Sequence, residues 1–229
     1  MESLAVITAR GGSKRIPRKN IREFCGKPII QYSIEAALES GIFDEVMVST
    51  DDEEIKEVAL ACGAKVPFMR SAEASGDWAM THEVLLEVVS KYKEMGRTFN
   101  SLCCIYPTAP FITAQKLVDS MRLLQERQAD TVMPVIPFSF PPQRGLVINN
   151  DRLLFKWPEN TMKRSQDLQP MYHDCGQYYC MSMDRFIQEK RLVMDYTVPY
   201  VISELEAQDI DKEIDWKLAE LKYELMTKQ

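Results

Sequence analysis

Four short apolar runs, Leu4–Ala9, Glu45–Thr50, Ser101–Tyr106 and Thr131–Ile136, alternate with segments whose apolar residues recur every three or four positions. This alternation constrains the fold more tightly than any other feature. Continuous apolar runs of this kind suit strands buried on both faces of a parallel sheet. The intervening segments Ile29–Ser40, Glu53–Cys62, Thr81–Met95 and Ala114–Gln128 read as amphipathic crossover helices, and Lys65–Met69 as a further short strand. Strand, helix and strand in that order predict an α/β fold, doubly wound around a mostly parallel sheet.

The pattern changes after Pro137. Gly145–Asn149 and Leu153–Trp157, split at Asn149-Asn150-Asp151, predict a β-hairpin. Segment 138–175 is expected to project from a single domain spanning 1–229, as a lid or a dimer arm, because a projecting apolar hairpin needs a partner surface. Gln177–Met181 and Pro199–Ser203 read as later strands and Glu213–Thr227 as a closing helix.

Immediately after the first strand comes Arg10-Gly11-Gly12-Ser13-Lys14-Arg15, followed by Arg18, Lys19 and Asn20. Adjacent glycines permit close backbone approach, and their amides can form an anion-binding nest. The cations suit a polyphosphate. Spacing excludes a P-loop and the dinucleotide-binding fingerprint. A solvated surface turn is the plain alternative. Against it stands the position, since α/β sheets bind ligands beyond the carboxyl ends of their strands. Net charge is −6, so the basic loop is a local feature and the chain is not expected to bind nucleic acid. No apolar run is long enough to span a bilayer, and the start lacks a signal peptide, which predicts a cytoplasmic protein. The six cysteines contain no Cys-x-x-Cys pair and read as free thiols.

Asp209-Ile210-Asp211 follows the last strand. In extended chain both carboxylates face one side and suit Mg²⁺, which takes carboxylates together with substrate phosphates. Asp211 can equally cap the final helix. Arg70 to Glu73, with Asp77, and Tyr106 to Pro110 lie where ligand-side loops belong, although an ion pair and a stiffened turn explain them too. Arg164-Ser165-Gln166-Asp167 and Tyr172-His173-Asp174-Cys175-Gly176-Gln177 form a polar cluster in the expected lid.

Taken together, these residues resemble the acylneuraminate cytidylyltransferase family, nearly end to end. Ala9 to Asn20 is similar to its N-terminal signature. Ser49-Thr50-Asp51, Arg70-x-Ala72-Glu73, Pro107-Thr108-x-Pro110 and Asp209-Ile210-Asp211 follow in the family order. Glu23 to Pro28, Cys103 to Tyr106, Arg164 to Asp167 and Tyr172 to Tyr179 are similar to the family's pseudaminic acid branch. The sialic-acid members typically have Gln-Pro-Thr-Ser-Pro where Tyr106–Pro110 stands here, and Arg-Pro-Asn-Gly-like residues where His173–Gly176 stands.

The resemblance implies a nucleotide-diphospho-sugar transferase-like fold and a reaction of CTP with a nine-carbon α-keto acid sugar, giving a CMP-sugar and pyrophosphate. It implies CTP contacts from Ala9, Arg10, Gly11, Gly12, Ser13, Lys14, Arg15, Lys19, Asn20, Arg70 and Asp77, with Mg²⁺ on Asp209 and Asp211. Tyr106, Arg164, His173, Asp174 and Gln177 are the sugar-side candidates. Arg10, Lys14 and Asp211 are those closest to the chemistry, and a homodimer is implied through the inserted hairpin. Legionaminic and N-acetylneuraminic acids are alternative sugars. A metal-dependent glycosyltransferase is a more distant reading, disfavoured by an Asp-x-Asp so near the C-terminus.

Overall fold

The computed structural model describes residues 2–76 and 78–227. Its strands are β1 (Ser3–Thr8), β2 (Glu23–Phe24), β3 (Lys27–Pro28), β4 (Glu45–Ser49), β5 (Ser101–Ile105), β6 (Thr131–Pro137), β7 (Leu146–Asn149), β8 (Arg152–Phe155), β9 (Tyr172–Asp174), β10 (Tyr178–Ser182) and β11 (Thr197–Val201). The helices are α1 (Ile29–Glu39), α2 (Glu53–Ala61), α3 (Ala72–Ser75), α4 (Thr81–Glu94), α5 (Ala114–Glu126), α6 (Met183–Glu189) and α7 (Glu213–Thr227).

The main sheet runs β11-β6-β10-β5-β1-β4, with β9 also paired to β6. β1 is parallel to both β4 and β5, through Val6↔Met47 and Val6↔Cys104. β10 lies between β5 and β6 and is antiparallel to both, while β11 is parallel to β6. The sheet is therefore mixed, which corrects the mostly parallel expectation. The cause is the insertion. Chain leaving β6 at its carboxyl end returns through β9, antiparallel to β6 with Ile136 opposite His173, so β10 starts at that same end and must run back. A fully buried strand looks alike in either direction, so the apolar pattern could not show this. Lys65–Met69 is likewise not a strand: it contributes a single bridge, Met47↔Lys65.

Alternate residues of β1 serve opposite faces. Ala5 and Ile7 pack with Ile30, Ile34, Ile55, Leu117 and Met121 from α1, α2 and α5. Leu4 and Val6 pack with Leu85, Val88, Tyr92 and Phe186 from α4 and α6. A third cluster lies apart from the sheet and joins Ile16, Phe24, Tyr32, Phe111, Ile210 and Trp216. Two of its members, Ile16 and Ile210, come from the cation loop and the acid pair.

Among the described residues β7 and β8 pair only with each other, through Leu146↔Phe155 and Ile148↔Leu153. Asn150 and Asp151 have φ of 47° and 60°, the two left-handed residues of a tight hairpin turn. Leu146, Val147, Ile148, Leu153 and Leu154 of this ribbon are all exposed.

Candidate active site

The loop leaving β1 is pinned from several sides. The Ala9 amide donates to Ser49 O (2.9 Å), and the buried Asn20 side chain donates to Arg10 O (2.8 Å). The Gly11 amide donates to Asp51 Oδ1 (2.9 Å) and that of Ser13 to Gly11 O (3.0 Å). These two amides are thus satisfied within the chain and do not converge as the expected nest. The glycine pair has no left-handed residue; that conformation falls instead on Arg18, at φ 55°. Gly11 is required for proximity: a Cβ there would lie 2.6 Å from Asp52 Oδ2. At Gly12 a Cβ would meet nothing within 4 Å, so the backbone faces open space.

Asp52 caps α2 by accepting from the Ile55 amide (3.0 Å), and it receives both Arg18 Nη atoms, at 2.6 and 3.0 Å. Arg18 also pairs with Glu54. Those bonds hold the Asp52 carboxyl below the usual carboxylate range. Arg18 is therefore a latch between loop and helix, not one of the phosphate cations the sequence suggested.

An open cavity of ≈ 430 Å³ is lined by Thr8, Arg10, Ser13, Lys14, Arg15, Lys19, Asn20, Tyr106, Pro107 and Thr108. It sits beyond the carboxyl ends of β1 and β5, the position expected of a ligand site in an α/β sheet. Arg10 Nη1 donates to Gly76 O (3.4 Å) across its rim. Tyr106 is held by Ser33 Oγ donating to its carbonyl (2.8 Å) and by its own amide donating to Gln177 O (2.8 Å).

The acid pair meets this cavity's edge. Arg15 Nη1 stands 2.7 Å from Asp211 Oδ2, and Lys19 Nζ 3.8 Å from Asp211 Oδ1. Lys19 Nζ also donates to Ile210 O (2.6 Å). Ile210, between the two acids, is buried in the third cluster. Partial desolvation raises the Asp209 carboxyl above its usual range although the residue keeps solvent exposure, and the Asp211 charge adds to this. Burial lowers the Lys19 ammonium, with both aspartates opposing it. Asp211 does not cap α7 with its side chain; Asp215 Oδ2 accepts from the Asp211 and Lys212 amides, at 3.0 and 2.8 Å.

Among the described residues no group of three or more His, Cys, Asp or Glu side chains gathers as a metal cage. Two carboxylates with mutual repulsion, beside a cavity rich in cations, fit a hard dication completed by substrate phosphate oxygens.

Of the sugar-side candidates, only Tyr106 is among the lining residues. Arg164 is exposed and pairs with Asp167 (2.8 Å). His173 is exposed, with Nδ1 2.9 Å from Asp174 O and its ring 4.7 Å from that of Phe138. Asp174 accepts from Tyr179 Oη and from the Gly176 amide. Gln177 is buried and donates to Glu206 O (2.5 Å). Arg70 is buried behind the loop, bonded to Ser49 Oγ and Ser49 O at 3.0 and 2.6 Å. Asp77 lies outside the described residues. Thr8 and Thr108 line the cavity without having been singled out. Thr8 ends a strand at its carboxyl end, and Thr108 sits inside a motif already quoted, so both carried a positional signal.

The family model for cytidylyltransferases matches residues 4–202. The chain belongs to that family. It is therefore a nucleotidyltransferase that uses CTP. It is 38% identical to the pseudaminic acid cytidylyltransferase of Campylobacter jejuni over 98% of this chain and 97% of that one. It is 34% identical to the CMP-N,N'-diacetyllegionaminic acid synthase of Legionella pneumophila, over 98% and 97% of the two chains. The solved structure of a CMP:2-keto-3-deoxy-manno-octonic acid synthetase complexed with CTP shares the fold, with TM-score 0.70, 18% identity and full coverage of both chains. Among the described residues no helix is long and apolar enough to cross a membrane.

Proposed function

We propose that this cytidylyltransferase joins CMP from CTP to the anomeric hydroxyl of pseudaminic acid and releases pyrophosphate, acting in the cytoplasm. The observation that carries the site assignment is the meeting of Arg15 and Lys19 with Asp211 at the edge of one cavity. Identity to the Campylobacter jejuni relative, higher than to the legionaminic one, supports the choice of sugar.

Arg10, Lys14, Arg15 and Lys19 would hold the triphosphate over the open side of Gly12 and neutralise the departing pyrophosphate. Such reactions need orientation and charge stabilisation more than covalent help from protein. Asp209 and Asp211 would hold Mg²⁺, which when bound offsets charge on the α-phosphate and lowers the pKa of the sugar hydroxyl. Arg15 would exchange Asp211 for a phosphate oxygen as CTP arrives. Tyr106 forms the wall beside the sugar.

The exposed apolar ribbon β7–β8 supports a homodimer in which each insertion packs on the other copy. Arg164, exposed and absent from its own cavity lining, would then reach the partner's sugar carboxylate, for which a guanidinium is suited. Incubating the protein with each nucleoside triphosphate and with pseudaminic, legionaminic or N-acetylneuraminic acid, while following pyrophosphate, tests the reading. Release confined to CTP with pseudaminic acid is expected. Equal kcat/KM across the three sugars would remove the substrate assignment.

A further inference from the structure

Between β11 and α7 the chain carries the acid pair through residues 203–212 with a single short turn, Glu204–Glu206, and no ladder. Side chains from elsewhere hold it instead. Lys222 donates to Glu204 O and Ala207 O (3.0 and 2.7 Å), Gln177 to Glu206 O, and Lys19 to Ile210 O. One further tie joins this segment to α5. Lys116, buried on α5, has Nζ 2.7 Å from Glu206 Oε1 and donates to Phe111 O (2.9 Å). Phe111 belongs to the segment after β5 whose Pro107 and Thr108 line the cavity. Glu206 lies three residues before Asp209, and its Oε2 accepts from the Ser203 amide (3.1 Å).

We infer that Lys116, through Glu206, is a positioning residue that fixes the acid pair relative to the cavity wall. The inference rests on the reading of Asp209 and Asp211 as the metal carboxylates. A buried ammonium and a half-buried carboxylate stay in place only while paired, so the tie is rigid. Neither group reaches the reacting atoms. Their effect passes through the loop, where a shift of about 1 Å can cost on the order of 100-fold in rate.

The test measures Mn²⁺ binding by water-proton relaxation in the presence of CTP and absence of sugar, alongside kcat, KM for CTP and Tm. Lys116→Met is expected to weaken Mn²⁺ binding about 10- to 100-fold, the range for groups that orient metal ligands. It should lower kcat at saturating metal and leave KM for CTP nearly unchanged. Lys116→Arg should recover part of the Mn²⁺ affinity. If Lys116→Met does not fold, Glu206→Gln, which keeps an acceptor for Ser203 but loses the charge, is read in the same way. Wild-type Mn²⁺ affinity in a folded variant overturns this inference alone. Failure of the wild-type protein to bind Mn²⁺ overturns the metal reading and the inference with it.

Discussion

Arg15 and Asp211 lie 196 positions apart, yet Arg15 Nη1 and Asp211 Oδ2 are separated by 2.7 Å. With Arg15 about two-thirds exposed, that pair adds little to stability, since surface ion pairs contribute about 0–1 kcal/mol. Its proposed weight is catalytic. Asp211→Asn should leave the far-ultraviolet circular dichroism unchanged and lower kcat on the order of 100-fold or more, the scale of losing one stabilising group at developing charge. CTP binding should survive, because the substitution releases Arg15 and Lys19 towards phosphate. Near-normal kcat at saturating Mg²⁺ and CTP would refute the role given to Asp211.

What brings the two ends together is apolar. Ile16, flanked by Arg15 and Pro17, and Ile210, flanked by the acids, are both fully buried in the cluster around Phe24 and Trp216. Ile210→Ala should cost about 2–5 kcal/mol, as truncations of fully buried aliphatic side chains do. Urea unfolding measures this. Turnover should fall further than stability predicts, because Ile210 anchors the segment that carries both proposed metal carboxylates. A variant less stable but fully active when folded would separate the cluster from the site.

The same residues show what a sequence can disclose. Strands β1, β4, β5 and β6 and their helices were legible because continuous apolar runs and period-3.6 patterns report burial directly. The cation loop's place at the carboxyl end of β1, where the structure has a cavity, was legible from its position in the chain. The direction of β10 was not, because it depends on where the insertion re-enters the sheet. Arg18 looked like another phosphate cation, and only its bonds to Asp52 and Glu54 assign it to the latch. Gln177 looked like a sugar contact, yet it is buried against Glu206 O. Charge alone does not distinguish a side chain facing a ligand from one facing a neighbouring loop. The tie from Lys116 to Glu206 had no sequence signal, since it joins two elements far apart in the chain.

Asp209 offers a pH test. Partial desolvation, and then the Asp211 charge, raise its carboxyl above the usual carboxylate range. A raised value means that the ligand-free protein accepts a proton there at a higher pH than the ~3.9 of an ordinary aspartate. Metal binding needs the ionised form, so as pH falls half-saturating Mg²⁺ should rise before ordinary carboxylates protonate. Saturating Mg²⁺ should suppress that dependence. Asp211→Asn removes the second cause and should move the Asp209 titration downward, as followed by carboxyl carbon NMR. An upward or absent movement would refute the coupling.

The glycines of the cation loop should respond differently to the same change. A Cβ at Gly11 would lie 2.6 Å from Asp52 Oδ2 and 2.9 Å from Asp52 Cβ. Asp52 cannot withdraw without losing its cap on α2 and its bonds to Arg18. Gly11→Ala should therefore cost about 1–3 kcal/mol, the range for overpacking. Gly12→Ala meets no neighbour and should hold Tm within about a degree, as surface substitutions do, while raising KM for CTP under the proposed placement of the triphosphate over its open side. Equal Tm losses in the two variants would show that the Asp52 contact does not decide the loop's stability.

The insertion ribbon predicts the assembly. Ile148 is 79% exposed and Leu153 63%, and the two stand opposite each other in one antiparallel pair. Two strands alone are marginally stable in water, so such a ribbon holds its shape by packing on something else. With a second copy covering it, Ile148→Asp combined with Leu153→Asp places charges in the interface and should convert dimer to monomer in light scattering after size exclusion. If Arg164 serves the partner's site, the monomeric variant should keep CTP binding and lose turnover. Mixing that variant with Arg10→Ala should then restore no activity, since neither can assemble a complete site. Mixing Arg10→Ala with Arg164→Ala, both still dimeric, should recover activity from heterodimers holding one intact site. Absence of that complementation, in a confirmed dimer, would place Arg164 in its own protomer's site or outside the reaction.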